Sequence, residues 1–251
     1  MTLHEYALLF PYHSGAPRSV LLQNFERARK FNRHAPLIPL IHDGEPVLPG
    51  TIDVRAYPTR YVTDDKWRSC DSIIYRWFSE RKLDAKRYII YEWDMYGSQS
   101  VPEFYESVWN VDVACVAPQT PHVNPSWYWF REVSRLGELA PFAAGLAPWA
   151  GVLLSARALR AMCEGPFLPD VACELRAGTL ANHAGFEITA MAFAEGLISY
   201  HARRIQLSSR PGLYHPIKHV VRNEDAPLPA PRVPLQMPTR YRARRVWVRS
   251  R

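Results

Sequence analysis

The feature that most limits what this chain can fold into is the alternation of short apolar runs with amphipathic helical stretches. Residues 6 to 11 form an apolar run broken by His13, Ser14 and Gly15, and Pro17 stands where proline opens a helix. From 18 to 31, Leu21, Leu22, Phe25 and Ala28 recur at helical spacing, with Arg27, Arg29 and Lys30 near the last turn, where cations suit the helix dipole. Residues 37 to 41 read as a second strand closed by His42, Asp43 and Gly44, and 51 to 57 as a third closed by Pro58. Between 64 and 82, Trp67, Cys70, Ile74, Trp77, Phe78 and Arg81 fall three or four apart, which predicts a long amphipathic helix bearing Asp71 beside its apolar face. A mostly parallel sheet flanked by helices satisfies this order, so the expected class is a layered α/β domain.

The next run, RYIIYEWDMYG at 87 to 97, ends in Glu92 and Asp94, one residue apart. Residues i and i+2 of an extended chain point the same way, and two carboxylates aimed together repel unless a cation or donor joins them. Mg²⁺ or Mn²⁺ would resolve that conflict, since both favour oxygen ligands and hold diphosphates through one or two carboxylates. The plainer alternative is a salt bridge to arginine for one acid and solvent for the other.

Beyond it, VDVACVA at 111 to 117 reads as a buried strand, and Pro118, Pro121 and Pro125 mark an irregular segment. Trp127, Tyr128, Trp129 and Phe130 suit either core packing or stacking on a sugar face. Residues 147 to 154, APWAGVLL, predict a strand, with Ser155 capping a helix through Leu159 and Met162. Asn182 to Glu187 precede Ile188, Met191 and Ala192 at helical spacing, which predicts a helix stopped by Gly196 with Glu187 in its first turn. An acid there also serves the helix dipole without any chemistry. The segment LYHPIKH at 213 to 219 supplies His215, Lys218 and His219; a neutral histidine completes metal shells and a lysine meets phosphate.

A chain of 251 residues, 47% hydrophobic and 22% charged, can bury one substantial core, and no apolar run approaches the roughly 20 residues that span a bilayer. MTLHEYALLF lacks the basic segment of a secretory signal, so a cytoplasmic protein is expected. The cysteines, Cys70, Cys115, Cys163 and Cys173, show no CxxC spacing and read as buried thiols. The formal charge of +7 lies in residues 226 to 251, which hold seven arginines, five prolines and no acid or lysine, leaving residues 1 to 225 neutral. The body itself thereby does not read as a nucleic-acid binder, and the tail reads as an extended basic segment suited to an anionic membrane surface or an acidic partner. No GxGxxG or GxxxxGK[ST] phosphate loop occurs. The expected division is a domain over 1 to 225 and a Pro/Arg-rich tail over 226 to 251.

Over roughly residues 4 to 220 this pattern resembles the GT-A glycosyltransferases, the nucleotide-diphospho-sugar transferases. The resemblance implies a single Rossmann-like layered domain with a mostly parallel central sheet. The family's DXD motif appears here as Glu92-Trp93-Asp94, its first acid departing from the strict pattern, and its first strand and loop as residues 8 to 14. By this likeness Asp94, Glu92 and His215 would hold Mn²⁺ or Mg²⁺, with His219 the competing histidine. Pro11, Tyr12, His13, Asp71, Trp93 and Lys218 would face the nucleotide, and Trp127, Trp149 and Gly151 the acceptor. Glu187 would be the general base of an inverting transfer from a nucleotide-diphospho-sugar donor to a hydroxyl of a glycan or glycolipid. A sugar-phosphate nucleotidyltransferase and a catalytically silent carbohydrate-binding or scaffold protein are the alternatives, and the lack of a glycine-rich basic loop after the first strand counts against the former.

Overall fold

The computed structural model describes residues 3–57, 68–81, 83–200, 207 and 211–221. In chain order its elements are β1 (Leu3–Tyr12), α1 (Arg18–Phe31), β2 (Leu37–Ile41), β3 (Ile52–Asp53), α2 (Cys70–Glu80), β4 (Asp84–Ile90), β5 (Tyr96–Gly97) and α3 (Val101–Phe104). They continue with β6 (Val113–Cys115), β7 (Ala117–Gln119), β8 (Gly145–Ala147), β9 (Leu153–Ser155), α4 (Ala156–Glu164), α5 (Cys173–His183), β10 (Ile188–Ala190) and β11 (Leu213–Tyr214).

Seven strands form the central sheet in the order β10-β6-β9-β4-β1-β2-β3, and every pairing in it is parallel except those of β9, which runs against both neighbours. β1 lies inside this sheet, and the alternation of its side chains builds two cores. Ala7 and Leu9 pack with Tyr88 and Ile90 on the face covered by α2, α4 and α5. Leu8, Phe10 and Tyr12 pack with Ile89 and Tyr91 on the face covered by α1 and α3. A strand buried on both faces reads as a continuous apolar run, which is why ALLFP gave so clear a signal. The result is the expected layered α/β fold, a mostly parallel central sheet flanked by helices. Among the described residues no helix is long and apolar enough to cross a membrane. The tail at 226–251 lies outside them, as do Asp64, Trp67 and Lys82 at the ends of the predicted second helix.

Several expectations change in detail. The strand expected over 51–57 is only Ile52–Asp53, because Asp53 accepts a hydrogen bond from the Arg55 amide at 2.9 Å and turns the chain into a short 3₁₀ segment. The single strand expected at 147–154 is two strands, β8 and β9, separated by a turn in which Gly151 adopts φ 77°. Ser155 caps α4 as expected, accepting from the Ala158 amide. The helix expected to begin near Glu187 is instead the edge strand β10, entered through Gly185 at φ 83°. The helix of that region is α5, which runs from Cys173 to His183 and ends before Glu187; nearly all of its residues are buried, so it has no polar stripe to reveal a helical period.

α5 is held close to β8 by Gly178, where a Cβ would lie 2.4 Å from the Ala144 carbonyl oxygen. At its N-terminal end the Ala172 amide donates to Glu132 at 2.9 Å and the Cys173 amide to the Arg68 carbonyl at 2.8 Å. Arg68 and Glu132 are themselves ion-paired at 3.0 Å. The first turn of this helix is therefore fixed from two directions.

Candidate active site

The parallel strands β1 and β4 end side by side, and the chain leaving β4 carries the two acids. The Tyr91 amide donates to the Leu9 carbonyl at 2.8 Å and the Trp93 amide to the Pro11 carbonyl at 3.2 Å, so β1 guides the exit. The acids do not sit on extended chain, as the i, i+2 argument supposed. Residues 92–95 form a turn closed by the Met95 amide on the Glu92 carbonyl at 2.9 Å, and Asn24 on α1 supports it by donating to the Trp93 carbonyl at 3.0 Å. The carboxylates nevertheless converge, because the turn aims both at one histidine.

That histidine is His215. β11 pairs antiparallel with β5, and the Ile217 amide donates to the Asp94 carbonyl at 2.8 Å, which ties residues 213–217 to the acid-bearing turn. Gly97 in β5 has no room for a side chain, since a Cβ would lie 2.3 Å from the Tyr91 hydroxyl. The Nδ1 of His215 lies 3.0 Å from the Ser199 carbonyl, which can only accept, so Nδ1 carries the proton and Nε2 faces the acids. Nε2 stands 3.3 Å from Glu92 Oε2 and 3.2 Å from Asp94 Oδ1. Burial lowers the imidazole's proton affinity, but Asp94 and then Glu92 outweigh it and push the pKa up to about 10. Lys218 Nζ reaches to 3.8 Å from Asp94 Oδ2 and remains mostly exposed.

The donor set fits a divalent cation. One ligand atom from each of Glu92, Asp94 and His215 lies within 4.8 Å of the others. Asp94 Oδ1 is buried and accepts no hydrogen bond of good geometry, its nearest cationic group being the His215 ring at 3.2 Å, whose Nε2 proton a divalent ion would replace. Two carboxylate oxygens and one imidazole held by a carbonyl behind it are a donor set compatible with Mn²⁺ or Mg²⁺. His219, the competing histidine, is exposed and outside this cluster.

The cluster opens on a cavity of about 700 Å³, the size of a small-molecule site. Pro11, Tyr12, His13, Trp93 and Lys218 line it, as do Trp127 and Trp149. His13 meets Trp93 edge to face at 5.3 Å. Among the cavity's other residues are His42, Tyr128, Trp129, Glu174 and Tyr200.

Three expected residues are elsewhere. Asp71 is fully buried and bound to Arg176 through two hydrogen bonds, at 2.8 and 2.5 Å, so it fixes α2 to α5 and faces no ligand. Gly151 is a turn residue: its amide donates to the Ile90 carbonyl and its carbonyl accepts from the Tyr105 hydroxyl, both at 2.8 Å. Glu187 is exposed and does not line the cavity. It precedes β10, which runs in the same direction as β1 and β4, so it lies at the end of the sheet opposite Tyr12 and Glu92.

A third carboxyl lines the cavity with Glu92 and Asp94: that of Glu174, which no sequence pattern singles out. It stands in the first turn of α5, only 5% exposed. Cys70 donates to the Cys173 sulfur at 3.2 Å, and Cys173 donates to Glu174 Oε2 at 2.9 Å. Burial pushes the Glu174 carboxyl up to about 7, against the Cys173 hydrogen bond and with Glu92 and Asp71 adding to the rise. A lone acid among VACELRAGTLA was the available signal, and it could not be weighed without knowing which way it faced.

No protein-family model and no curated protein matches the sequence. Among solved structures the chain is similar to the galactosyltransferase LgtC in complex with donor and acceptor sugar analogs, at 11% identity and a TM-score of 0.38, over 70% of each chain. It is also similar to mouse xyloside xylosyltransferase 1, apo form, at 15% identity and a TM-score of 0.38, over 72% of this chain and 81% of that one. These are likenesses of overall shape, too distant to transfer a substrate or a residue's role.

Proposed function

We propose that the protein is a metal-dependent glycosyltransferase that moves a sugar from a nucleotide-diphosphate donor to an acceptor hydroxyl of a glycan or glycolipid. The observation that carries this reading is the convergence of Glu92, Asp94 and His215 at the mouth of an aromatic cavity beside the exit of β1. A divalent cation held by these residues would neutralise diphosphate charge in the donor and on the leaving group. Ser199 fixes the His215 ring so that Nε2 faces the acids. Lys218, with an exposed ammonium beside Asp94, meets the phosphates from the solvent side. Tyr12, His13 and Trp93 offer flat faces and polar edges to the nucleotide, and Trp127 and Trp149 bound the acceptor's share of the cavity.

The same reading takes the chain to be cytoplasmic, with the seven arginines of residues 226–251 drawing it to an anionic membrane surface. The test of the activity is release of nucleoside diphosphate from a panel of uridine, guanosine and thymidine diphosphosugars with Mn²⁺. The expected result is turnover of one donor class, abolished by chelator and by Asp94→Asn. Turnover that ignores both would remove the metal from the proposal. Pyrophosphate-dependent turnover of the donor to a nucleoside triphosphate and a sugar phosphate would favour the nucleotidyltransferase alternative.

A further inference from the structure

With Glu187 at the far end of the sheet, the proposed reaction lacks an assigned carboxylate, and one buried acid of the cavity has no structural duty that would account for it. We infer that Glu174 is the catalytic carboxylate of this cavity, taking the proton from the acceptor hydroxyl as the new glycosidic bond forms; this rests on the transferase reading above.

Three observations carry it. Glu174 is 5% exposed and lines the same cavity as Glu92, Asp94 and His215. Among the described residues it has no salt-bridge partner of the kind that neutralises the two other buried acids near it: Asp71 is held by Arg176 and Glu132 by Arg68. Its contacts are instead weak or neutral donors, the Cys173 thiol at 2.9 Å and the Tyr200 hydroxyl, with the Cys70 thiol behind Cys173. The first turn of α5 that bears it is pinned by Glu132 and by the Arg68 carbonyl, so the carboxyl is held in place without being neutralised. A structural acid would be paired; a positioned, unneutralised one beside a cavity is what proton transfer requires.

The chemistry balances without a co-reactant. The acceptor oxygen bonds to the anomeric carbon, the bond from that carbon to the diphosphate oxygen breaks with its electron pair leaving on the diphosphate, and the hydroxyl proton passes to Glu174. A single displacement of this kind inverts the anomeric centre. Among the described residues the groups facing Glu174 are Cys173, Cys70 and Tyr200, with Glu92 and Asp71 as the nearby acids that raise its proton affinity after burial has done so. Ionised Glu174 is the working form, so the rate rises with pH through about 7.

The test uses the full chain and Glu174→Gln, with water as the probe acceptor and the diphosphosugar panel as donors. Four readouts are taken: turnover against pH, Mn²⁺-dependent affinity for the nucleoside diphosphate, the melting temperature, and the anomer first formed, by proton NMR. A fifth, the ¹³C carboxyl titration of the wild-type protein assigned by its loss in the variant, reads Glu174 independently of turnover. The expected result is a fall in turnover of about 10²-fold or more, loss of the limb near pH 7, unchanged nucleotide affinity and an inverted product. Unchanged turnover in the variant, a retained anomer, or a Glu174 carboxyl that titrates as an ordinary exposed glutamate overturns the role of Glu174 and leaves the transferase reading standing. A wild-type protein that neither binds nucleotide with Mn²⁺ nor turns over any donor overturns the transferase reading, and Glu174's role with it.

Discussion

Replacing Asp71 separates a structural acid from a ligand-binding one. Its side chain is 0% exposed and that of Arg176 1% exposed, and the guanidinium also donates to the Leu168 and Val171 carbonyls at 2.9 Å each. Asp71→Asn therefore leaves a buried guanidinium without its counter-charge in a place that water cannot reach. Breaking one side of such a pair costs about 3–5 kcal/mol. At roughly 2–4 °C per kcal/mol for a chain of this length, the melting temperature falls by about 6–20 °C. The double replacement Asp71→Leu with Arg176→Met removes both charges and regains most of the loss, because two apolar side chains of similar volume no longer need each other's charge. Thermal and urea unfolding of the three proteins, wild type, Asp71→Asn and the double, measure this directly. Asp71→Asn melting within about 2 °C of wild type while losing nucleotide affinity would refute the reasoning and return Asp71 to the ligand.

Three further outcomes follow from other residues. His215 binds its proton up to a pH of about 10 and a metal needs Nε2 bare, so Mn²⁺ binding at pH 7 releases about one proton and tightens by about tenfold per pH unit as pH rises toward 10; calorimetry in buffers of different ionisation enthalpy reads the proton, and pH-independent binding would contradict it. Gly178→Ala puts a methyl 2.4 Å from the Ala144 carbonyl oxygen, forcing α5 from β8 at a cost of about 1–3 kcal/mol in urea unfolding. Glu187→Gln changes neither turnover nor melting temperature beyond about 0.5 kcal/mol, since its side chain is exposed and remote from the cavity; a collapse of turnover would restore it as the base.

The parts legible in the sequence were those with a clean physical period. β1, α1 and β2 were read to within a few residues because an apolar run, a helical stripe and a closing HDG turn each leave a pattern. Residue chemistry and order singled out Glu92, Asp94 and His215, which the fold brings together, although the acids meet through a turn and not through strand alternation. α5 leaves no periodic signal because nearly all of it is buried, and the polar cluster at 182–187 mimics a helix start, which places Glu187 in a first turn that the fold does not contain. Asp71 was misread because an acid beside an apolar helix face looks alike whether an arginine over a hundred residues away or a nucleotide meets it. The proposal for Glu174 had no such signal for the converse reason: it rests on the lack of a charged partner among the described residues, which only the fold reveals.

The central claim is a metal-dependent nucleotide site at Glu92, Asp94 and His215, and the most direct test is a thermal-shift titration with UDP, GDP, CMP and TDP, each with and without Mn²⁺, on wild type and Asp94→Asn. A ligand that binds only the folded state raises the melting temperature by mass action. The expected result is that one nucleotide shifts the wild-type melting temperature only when Mn²⁺ is present and leaves Asp94→Asn unmoved. A shift of equal size without metal, or in the variant, would contradict it, and no shift with any nucleotide would return the three residues to a buried histidine held by two acids.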